Sequence, residues 1–251
     1  MIQLMTFNLR CSNPNDGINF QPYRMPRILE KIREEKPDVI GFQEMRDDAL
    51  PLMSTTLSEY TFVGTGRDPH YFGESTRVAF RKDKFLMLSM DQFWLSDTPR
   101  VPGSRYTVDQ SSCPRVCTWV KLFHLPTQKR FYFFNTHLDH VGEDARMRGL
   151  QLVIDTVKDL KAQDDIPLFI TGDFNFMPDA APYALIAKNG LNDLTEGMAP
   201  TFHGFGKAEL EKIDYILTDL PREQFVVERW HECNNGVYLS DHDPISAKWS
   251  F

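Results

Sequence analysis

Residues 167–175 of the chain read PLFITGDFN, an apolar run followed at once by a polar cluster. The run from Pro167 to Thr171 is typical of a short, buried β-strand. Such a strand would present Asp173 and Asn175 at its carboxyl end, where backbone positions are rigid. On its own, the segment Gly172-Asp173-Phe174-Asn175 is more typical of a tight turn, because glycine, asparagine and aspartate all favour turn conformations.

The same arrangement, a polar side chain at or beside an apolar run, recurs along the chain. It is found at Asn8 in Thr6-Phe7-Asn8, at Glu44 in Phe42-Gln43-Glu44, at His137 in Asn135-Thr136-His137, at Asp214 in Ile213-Asp214-Tyr215, and at Asp241 and His242 in Ser240-Asp241-His242. Most members have a simpler interpretation: a turn residue, the first residue of a helix, or a histidine of the core or surface. Asp214 is harder to explain in this way, because a buried carboxylate costs several kcal/mol unless it is paired or ligated.

The remaining pattern predicts two strand-rich halves, each with a long helix. Apolar spacing predicts one helix through Met25 and Ile32, ended by Lys36-Pro37, and a second from Met147 to Leu160. Strands are predicted at 2–8, 38–43, 60–63, 77–81, 85–95, 116–123, 130–135, 167–171, 213–218, 225–230 and 245–249, with a loop over 11–19. This order favours two sheets packed face to face, with helices covering their outer faces.

The composition predicts a globular protein, and the lack of a membrane span or secretory signal predicts that it stays in the cytoplasm. Of 251 residues, 41% are hydrophobic and 25% are charged, which suffices for a full core. No linker, repeat or low-complexity segment divides the sequence, so we expect one domain over residues 1–251. No apolar run is long enough to cross a membrane, and the N-terminus lacks the pattern of a secretory signal. Nothing in the sequence indicates an obligate protein partner.

Charge and cysteine usage exclude further classes of protein. The 28 basic and 35 acidic residues give a net charge of −7, which disfavours coating of duplex DNA or of an anionic membrane. A phosphate-processing enzyme is compatible with this surplus, because carboxylates in one pocket hold divalent cations that reverse the local field. The four cysteines include no Cys-x-x-Cys pair, which favours reduced thiols over disulfides or a zinc site.

Taken together, the polar residues form an ordered series of six motifs that spans residues 8 to 242. The motifs are Thr6-Phe7-Asn8, Phe42-Gln43-Glu44, Asn135-Thr136-His137, Gly172-Asp173-Phe174-Asn175, Ile213-Asp214-Tyr215 and Ser240-Asp241-His242. The series resembles the endonuclease/exonuclease/phosphatase superfamily, and in particular its uncharacterised bacterial members. The resemblance implies an α+β fold: a four-layer α/β/β/α sandwich of two packed, mainly antiparallel sheets flanked by helices, with the site at one rim.

The resemblance also implies a phosphoester hydrolase that depends on Mg²⁺ or Mn²⁺. Glu44 is the best candidate ligand, assisted by Asn8 and Asp241. Hard oxygen donors suit these two cations, which bind through one or two carboxylates and substrate phosphate. Zinc is disfavoured, because no cluster of histidine and cysteine has suitable spacing.

Catalytic roles carry over from the family motif by motif. Asp173 would orient or deprotonate the attacking water, and Asn175 would hydrogen-bond the phosphate. Asp214 would pair with His242 and keep its ring cationic near the developing charge, because a carboxylate partner raises an imidazole pKa. His137 would donate to a phosphoryl oxygen or assist the leaving group. The expected reaction is metal-assisted, in-line attack of water on phosphorus.

The substrate is less sharply indicated. Arg115 and His203 are candidate substrate contacts, and Trp94 and Tyr106 would stack on bases; the alternatives are a surface arginine, a loop histidine and a core tryptophan. These aromatics favour nucleic-acid ends, including single-stranded nucleic acid, or nucleotides over other small phosphorylated metabolites. A sugar or inositol phosphatase of the same fold, or a noncatalytic phosphate-binding module, are the alternatives.

Overall fold

Two six-stranded sheets form the centre of the computed structural model, which describes residues 1–250. In chain order the strands are β1 (Ile2–Asn8), β2 (Val39–Gln43), β3 (Tyr60–Val63), β4 (Val78–Arg81), β5 (Phe85–Trp94), β6 (Val116–His124), β7 (Lys129–His137), β8 (Leu168–Asp173), β9 (Asn192–Asp193), β10 (Asp214–Thr218), β11 (Phe225–Arg229), β12 (Cys233–Asn234), β13 (Val237–Tyr238) and β14 (Ile245–Trp249). The first sheet has the order β11-β14-β1-β2-β4-β3 and the second β5-β6-β7-β8-β10-β9. Strands β12 and β13 form a separate hairpin.

Each large sheet contains one parallel pair, β1 with β2 and β7 with β8, and is otherwise antiparallel. A long helix makes each parallel crossover: α1 (Gln21–Glu35) after β1, and α3 (Glu143–Gln163) after β7. Two shorter helices are α2 (Leu50–Thr56) and α4 (Ala184–Lys188), and 3₁₀ turns occupy Pro14–Asn19, Ala181–Tyr183, Gly204–Gly206 and Arg222–Gln224. Within residues 1–250, no helix combines the length and apolarity that a membrane crossing requires.

The apolar residues divide into layers, and this confirms the predicted four-layer sandwich. On β7, Phe131 and Phe133 belong to the core between the sheets, whereas Tyr132 and Phe134 contact the helix layer that contains α3. On β1, Leu4 faces the other sheet while its neighbours on the opposite face pack on α1. Successive strand residues point to opposite faces, so central strands covered on both sides read as continuous apolar runs.

Near the rim that carries the polar motifs, the sheets approach each other closely. A Cβ atom on Gly41 would lie 2.4 Å from Oγ1 of Thr171 and 2.5 Å from Oδ1 of Asn135, which explains the glycine in β2. Asn135 donates through Nδ2 to the carbonyl of Phe42 at 2.7 Å and accepts through Oδ1 from Nε2 of Gln43 at 2.6 Å. These buried hydrogen bonds fix one sheet against the other directly beneath the site.

The structure differs from the sequence prediction at strand ends and in short elements. Strand β7 continues to His137 and β8 to Asp173, two residues beyond their predicted ends, so both side chains belong to the ladder itself. The predicted loop over 11–19 contains the 3₁₀ turn Pro14–Asn19. Helix α2 was not predicted, because only Met53 in it is buried and its apolar periodicity is weak.

Candidate active site

Polar residues from several strand ends converge at one rim of the two sheets. Asn8 ends β1, His137 ends β7 and Asp173 ends β8, whereas Asp214 begins β10. The rim opens into a cavity of about 610 Å³ whose lining includes Glu44, Arg115, His137, Asp173, Asn175, Asp241 and His242. Asn8 and Asp214 are buried and hydrogen-bonded to lining residues. The structure thus brings together nine of the ten predicted site residues, at the cavity wall or directly behind it.

Asp173 is the centre of this arrangement. Its Oδ2 accepts a hydrogen bond from Nδ2 of Asn8 at 2.9 Å and lies 3.4 Å from Nε2 of His137. Its Oδ1 accepts from the backbone N–H of Asn175 at 3.0 Å. Parallel pairing aligns Asp173 with His137 across β7 and β8, so the ladder itself sets the distance between them.

His242 lies between two carboxylates. Its Nδ1 lies 2.9 Å from Oδ2 of Asp214, and its Nε2 lies 3.7 Å from Oδ2 of Asp173. Burial disfavours the charged imidazole, but the charges of Asp214 and Asp173 outweigh it and raise the pKa of His242 well above its usual value. His242 is therefore held as a cation.

The pKa values of Asp173 and His137 are shifted in directions that complement this cation. Burial, reinforced by the charges of Asp214 and Glu44, raises the pKa of Asp173 to about 7 despite the nearby His242. Burial and the positive charge of Arg115 lower the pKa of His137 well below its usual value. One neutral imidazole, one cationic imidazole and a carboxylate poised near neutral pH thus share one pocket, a combination typical of catalytic sites.

Glu44 enters the cavity from the end of β2 as an anion. Its Oε1 accepts from Nδ2 of Asn8 at 3.1 Å and its Oε2 from the backbone N–H of Cys11 at 2.9 Å. Burial opposes ionisation, but these hydrogen bonds and the charge of His242 lower the pKa of Glu44. Glu74 places a carboxylate oxygen within 4.8 Å of Glu44, and burial together with the charge of Glu44 raises the pKa of Glu74.

This donor set fits a hard divalent cation. Two carboxylates in close proximity repel each other, and a cation between them relieves that repulsion. Asp241 also lines the cavity, 3.6 Å from Nε of Arg10. Asn8 donates through Nδ2 to the carboxylates of both Glu44 and Asp173, so it ties the candidate metal end of the cavity to the candidate catalytic end.

Backbone conformation helps to aim two of these side chains. Glu44 has φ = +56° and Asn175 has φ = +51°, in the left-handed region that non-glycine residues rarely adopt. Each follows the second strand of a parallel pair, β2 or β8, so the two sheets share a left-handed residue at corresponding places. Asparagine tolerates this conformation, whereas for glutamate it is uncommon and suggests a functional requirement.

Arg115 also lines the cavity and is almost fully buried, with 4% of its surface exposed. Its Nε lies 3.4 Å from Oδ2 of Asp139, and its Nη2 contacts Nδ1 of His140 at 2.7 Å. Its Nη1 is buried without a hydrogen-bond partner in the protein. A polar atom in that position is available to a ligand or to water.

The structure does not bring His203 to the cavity. The ring is buried, with Nε2 3.3 Å from Oδ1 of Asp243 and with the ring of Tyr238 packed against it in a tilted orientation, 4.7 Å between ring centroids. Its neighbours Phe202 and Gly204 line the cavity in its place. Sequence position alone could not show which residue of this short segment points inward.

Trp94 and Tyr106, the two residues expected to stack on bases, do not line the cavity either. Trp94 is buried, donates through Nε1 to the carbonyl of Arg67 at 2.6 Å and meets Tyr71 edge to face. Tyr106 belongs to the core beneath α3. The interpretation of Trp94 as a core tryptophan, rather than as a base-stacking residue, is therefore the correct one.

Sequence reasoning missed several cavity residues. Arg10 lies two positions after Asn8 and, with a φ of +51°, turns back towards Asp241; its proximity to the first motif was a usable signal. Arg67 and Glu74 lie in the loop between β3 and β4 and pair at 2.8 Å. No pattern in that loop distinguishes them from ordinary surface charges.

Comparison with known proteins identifies the family. A sequence model of the Endonuclease/Exonuclease/phosphatase family matches residues 5–242. The chain belongs to this family. The match begins within β1 and ends at His242, so it contains all six motifs and confirms the family resemblance. Members of the family hydrolyse phosphoesters, which supports a hydrolase, and the family generally depends on divalent metals.

Solved structures of this family agree over the whole chain. An endonuclease/exonuclease/phosphatase from Bacteroides vulgatus superposes with a TM-score of 0.90 at 32% identity, and 99% of each chain is covered. A mannosyl-6-phosphatase from Bacteroides thetaiotaomicron superposes with a TM-score of 0.87 at 30% identity, and 100% of each chain is covered. Among curated sequences, protein angel of Drosophila melanogaster is 25% identical over 227 residues, which make up 82% of this chain and 61% of that protein.

Proposed function

We propose that this protein is a divalent-metal-dependent hydrolase of phosphoesters, acting by in-line attack of water. The observation that carries the proposal is the position of Asp173 between neutral His137 and cationic His242, next to anionic Glu44. Hydrolysis of a phosphoester requires an activated water, neutralisation of charge on phosphoryl oxygens, and stabilisation of the leaving oxygen. The described residues offer a candidate for each requirement.

Asp173 is the candidate that activates water. A carboxylate with a pKa of about 7 accepts a proton more readily than an ordinary aspartate, and a general base works best near the operating pH. Its two oxygens are oriented by Asn8 and by the backbone of Asn175. An attacking water held by this carboxylate would face a phosphorus atom within the cavity.

His242, His137 and Asn175 are the candidates that bind the phosphoryl group. Cationic His242, oriented by Asp214, would stabilise negative charge that grows in the transition state. Neutral His137 would donate a hydrogen bond to a phosphoryl or leaving-group oxygen. Asn175 uses one N–H of its side chain on the carbonyl of Leu138 at 3.0 Å, and its second N–H would serve a phosphate oxygen.

Glu44, with Asp241 and Asn8, would hold Mg²⁺ or Mn²⁺. When bound, the cation would neutralise charge on the phosphoryl oxygens and act as a Lewis acid. Oxygen donors dominate this end of the cavity, as these hard cations require. The protein contributes an anionic Glu44 whose orientation is fixed by Asn8 and by the backbone of Cys11.

We favour a small phosphorylated sugar over a nucleic acid as the substrate. Burial of Trp94 and Tyr106 removes the argument that favoured base stacking. The similarity to a mannosyl-6-phosphatase covers the full length of both chains. Nucleic-acid ends are the second candidate, because the aromatic rings of Phe202 and Phe205 line the cavity and could stack on a base.

A substrate panel with wild-type protein separates these candidates. Mannose 6-phosphate, phenyl phosphate, a nucleoside monophosphate, and single-stranded RNA and DNA oligonucleotides are incubated with Mg²⁺ or Mn²⁺, each with a chelator control. We expect chelator-sensitive release of phosphate, with the highest kcat/KM on the sugar phosphate. Preferential shortening of oligonucleotides would favour the nuclease, and no turnover on any substrate would favour a noncatalytic phosphate-binding module.

A further inference from the structure

One wall of the cavity carries a chain of contacting side chains that runs from Asp139 through Arg115 to His140. The carboxylate of Asp139 accepts hydrogen bonds from the backbone N–H groups of Gly142 at 2.8 Å and Val141 at 3.0 Å, and from both N and Oγ of Ser111. Burial opposes its ionisation, but these bonds outweigh burial and lower the pKa of Asp139 to about 2. The anion so fixed lies 3.4 Å from Nε of Arg115.

Arg115 in turn determines which nitrogen of His140 carries the proton. Nη2 of Arg115 lies 2.7 Å from Nδ1 of His140. A guanidinium has only donors, so Nδ1 of His140 must accept this hydrogen bond. A neutral imidazole that accepts at Nδ1 carries its proton at Nε2.

The surroundings keep this imidazole neutral. Burial and the positive charge of Arg115 lower the pKa of His140, Arg67 acts in the same direction, and Asp139 and Glu44 oppose them. His140 lines the cavity. Its Nε2–H is therefore a donor of fixed identity at the cavity wall.

The charges on this wall balance. Arg67 pairs with Glu74 at 2.8 Å and Arg115 pairs with Asp139 at 3.4 Å, and His140 is neutral. A site for a second phosphate or a carboxylate would require an excess of positive charge. A wall of paired charges with fixed donors and acceptors instead suits neutral hydroxyl groups, which donate and accept at once.

We propose that this wall binds the neutral, hydroxyl-bearing part of the substrate, with Nε2–H of His140 donating to a hydroxyl oxygen and Arg115 acting as the positioning residue. The inference rests on the proposed phosphoester hydrolase and narrows its substrate to phosphomonoesters of polyhydroxylated compounds. His140 thereby sets specificity, because it binds a part of the substrate that does not react.

Paired substrates test the role of His140. Wild-type protein and His140→Ala are compared on mannose 6-phosphate and on phenyl phosphate, whose leaving group has no further hydroxyl. We expect His140→Ala to lower the ratio of kcat/KM for the sugar ester to that for the phenyl ester by about fivefold to tenfold, as loss of one neutral hydrogen bond implies. The exposed His70 provides the matched control His70→Ala, which should leave the ratio unchanged.

Nitrogen NMR tests the role of Arg115 without relying on turnover. The ¹⁵N shifts of the His140 ring in wild-type protein should report the Nε2–H tautomer between about pH 7 and pH 8, above the usual imidazole pKa of about 6.5. In Arg115→Met, Nδ1 loses its donor, and we expect a mixture of tautomers together with a lower sugar-to-phenyl ratio. An Nδ1–H ring in wild-type protein would overturn the proposal.

The outcomes separate this inference from the proposed function. If wild-type protein releases phosphate from neither ester, the proposed function fails. If it hydrolyses both esters and His140→Ala leaves their ratio at the wild-type value, the function stands and the hydroxyl subsite is wrong. Circular dichroism of each variant verifies that a lower sugar-to-phenyl ratio of kcat/KM does not result from loss of the fold.

Discussion

Asp214 accepts a hydrogen bond from Nδ1 of His242 at 2.9 Å, and the two side chains are almost entirely buried. Asp214 also lies directly opposite Asp173 across β10 and β8, so His242 is held near both carboxylates. A carboxylate behind an imidazole orients the ring and stabilises its cationic form. Asp214 therefore orients His242, and His242 lies beside Asp173, the candidate residue for activating water.

Replacing Asp214 by asparagine keeps the shape of the side chain and removes its charge. We expect Asp214→Asn to lower the pKa of His242 and to reduce kcat by two orders of magnitude or more, about the range of one acid–base contribution. Steady-state kinetics on the best substrate and an NMR titration of His242 measure both effects. Turnover within about threefold of the wild-type value, with a cationic His242, would refute this role.

Glu44 is expected to dominate metal affinity. Glu44→Gln removes the anionic donor while preserving size, and we expect the affinity for Mn²⁺ to fall by at least about tenfold. Isothermal titration calorimetry with Mn²⁺ measures this change. Glu34→Gln on the exposed side of α1 is the matched control. Equal affinities for the two variants would show that the metal lies elsewhere.

The depressed pKa of Asp139 predicts a pH-dependent contribution to stability. The folded-state pKa is about 2, below the unfolded value of about 3.9. The stabilisation is therefore complete above about pH 5 and disappears as pH falls towards 2. We expect Asp139→Asn to lower the free energy of unfolding at pH 7 by at most about 2 kcal/mol, because solvent screening reduces the full electrostatic value, and by progressively less below pH 4.

Urea denaturation at several pH values measures this difference, with the exposed Asp179→Asn as the control. A destabilisation by Asp139→Asn that stayed constant from pH 7 down to pH 3 would argue that packing, and not ionisation, is responsible.

Because the two sheets approach each other closely at Gly41, we expect even a small, uncharged side chain at this position to destabilise the protein. An added methyl group would meet Thr171 and Asn135 at distances below 2.6 Å. We expect Gly41→Ala to destabilise the protein by about 1–3 kcal/mol, as overpacking of a core does. In Gly149→Ala, the methyl group would lie 3.2 Å from the flexible Leu95 side chain, so helix propensity should offset the contact. Equal stability of the two variants would contradict the close approach of the sheets.

The layered fold was predictable from the sequence because most of its central strands and helices have a clear pattern of apolar residues. β1 and β8 are buried on both faces and read as apolar runs, and α1 and α3 place apolar residues at helical spacing. Strands β9, β12 and β13 span two residues each, too few for any period. Their existence depends on tertiary contacts, so no local pattern predicts them.

The site was predictable where a residue belongs to a motif and unpredictable where a loop places it. Asp173 and His242 stand in short, ordered motifs, and the structure brings them together. His203 also stood in a recognisable segment, yet its ring packs on Asp243 and Tyr238, away from the cavity. The role of His140 depends on its hydrogen bond from Arg115, which lies 25 residues earlier in the chain. No local sequence pattern reveals that contact.

The most direct test of the central claim is phosphate release by wild-type protein and by Asp173→Asn, each with Mg²⁺ and with a chelator. The asparagine can still accept the hydrogen bond from the backbone of Asn175, so the fold should persist, and Asp179→Asn serves as the matched control. We predict chelator-sensitive turnover by the wild type and the control, and a loss of at least about two orders of magnitude in Asp173→Asn. Turnover that survives the chelator, or that is undiminished in Asp173→Asn, would contradict the assignment of this cavity as a metal-dependent phosphoesterase site.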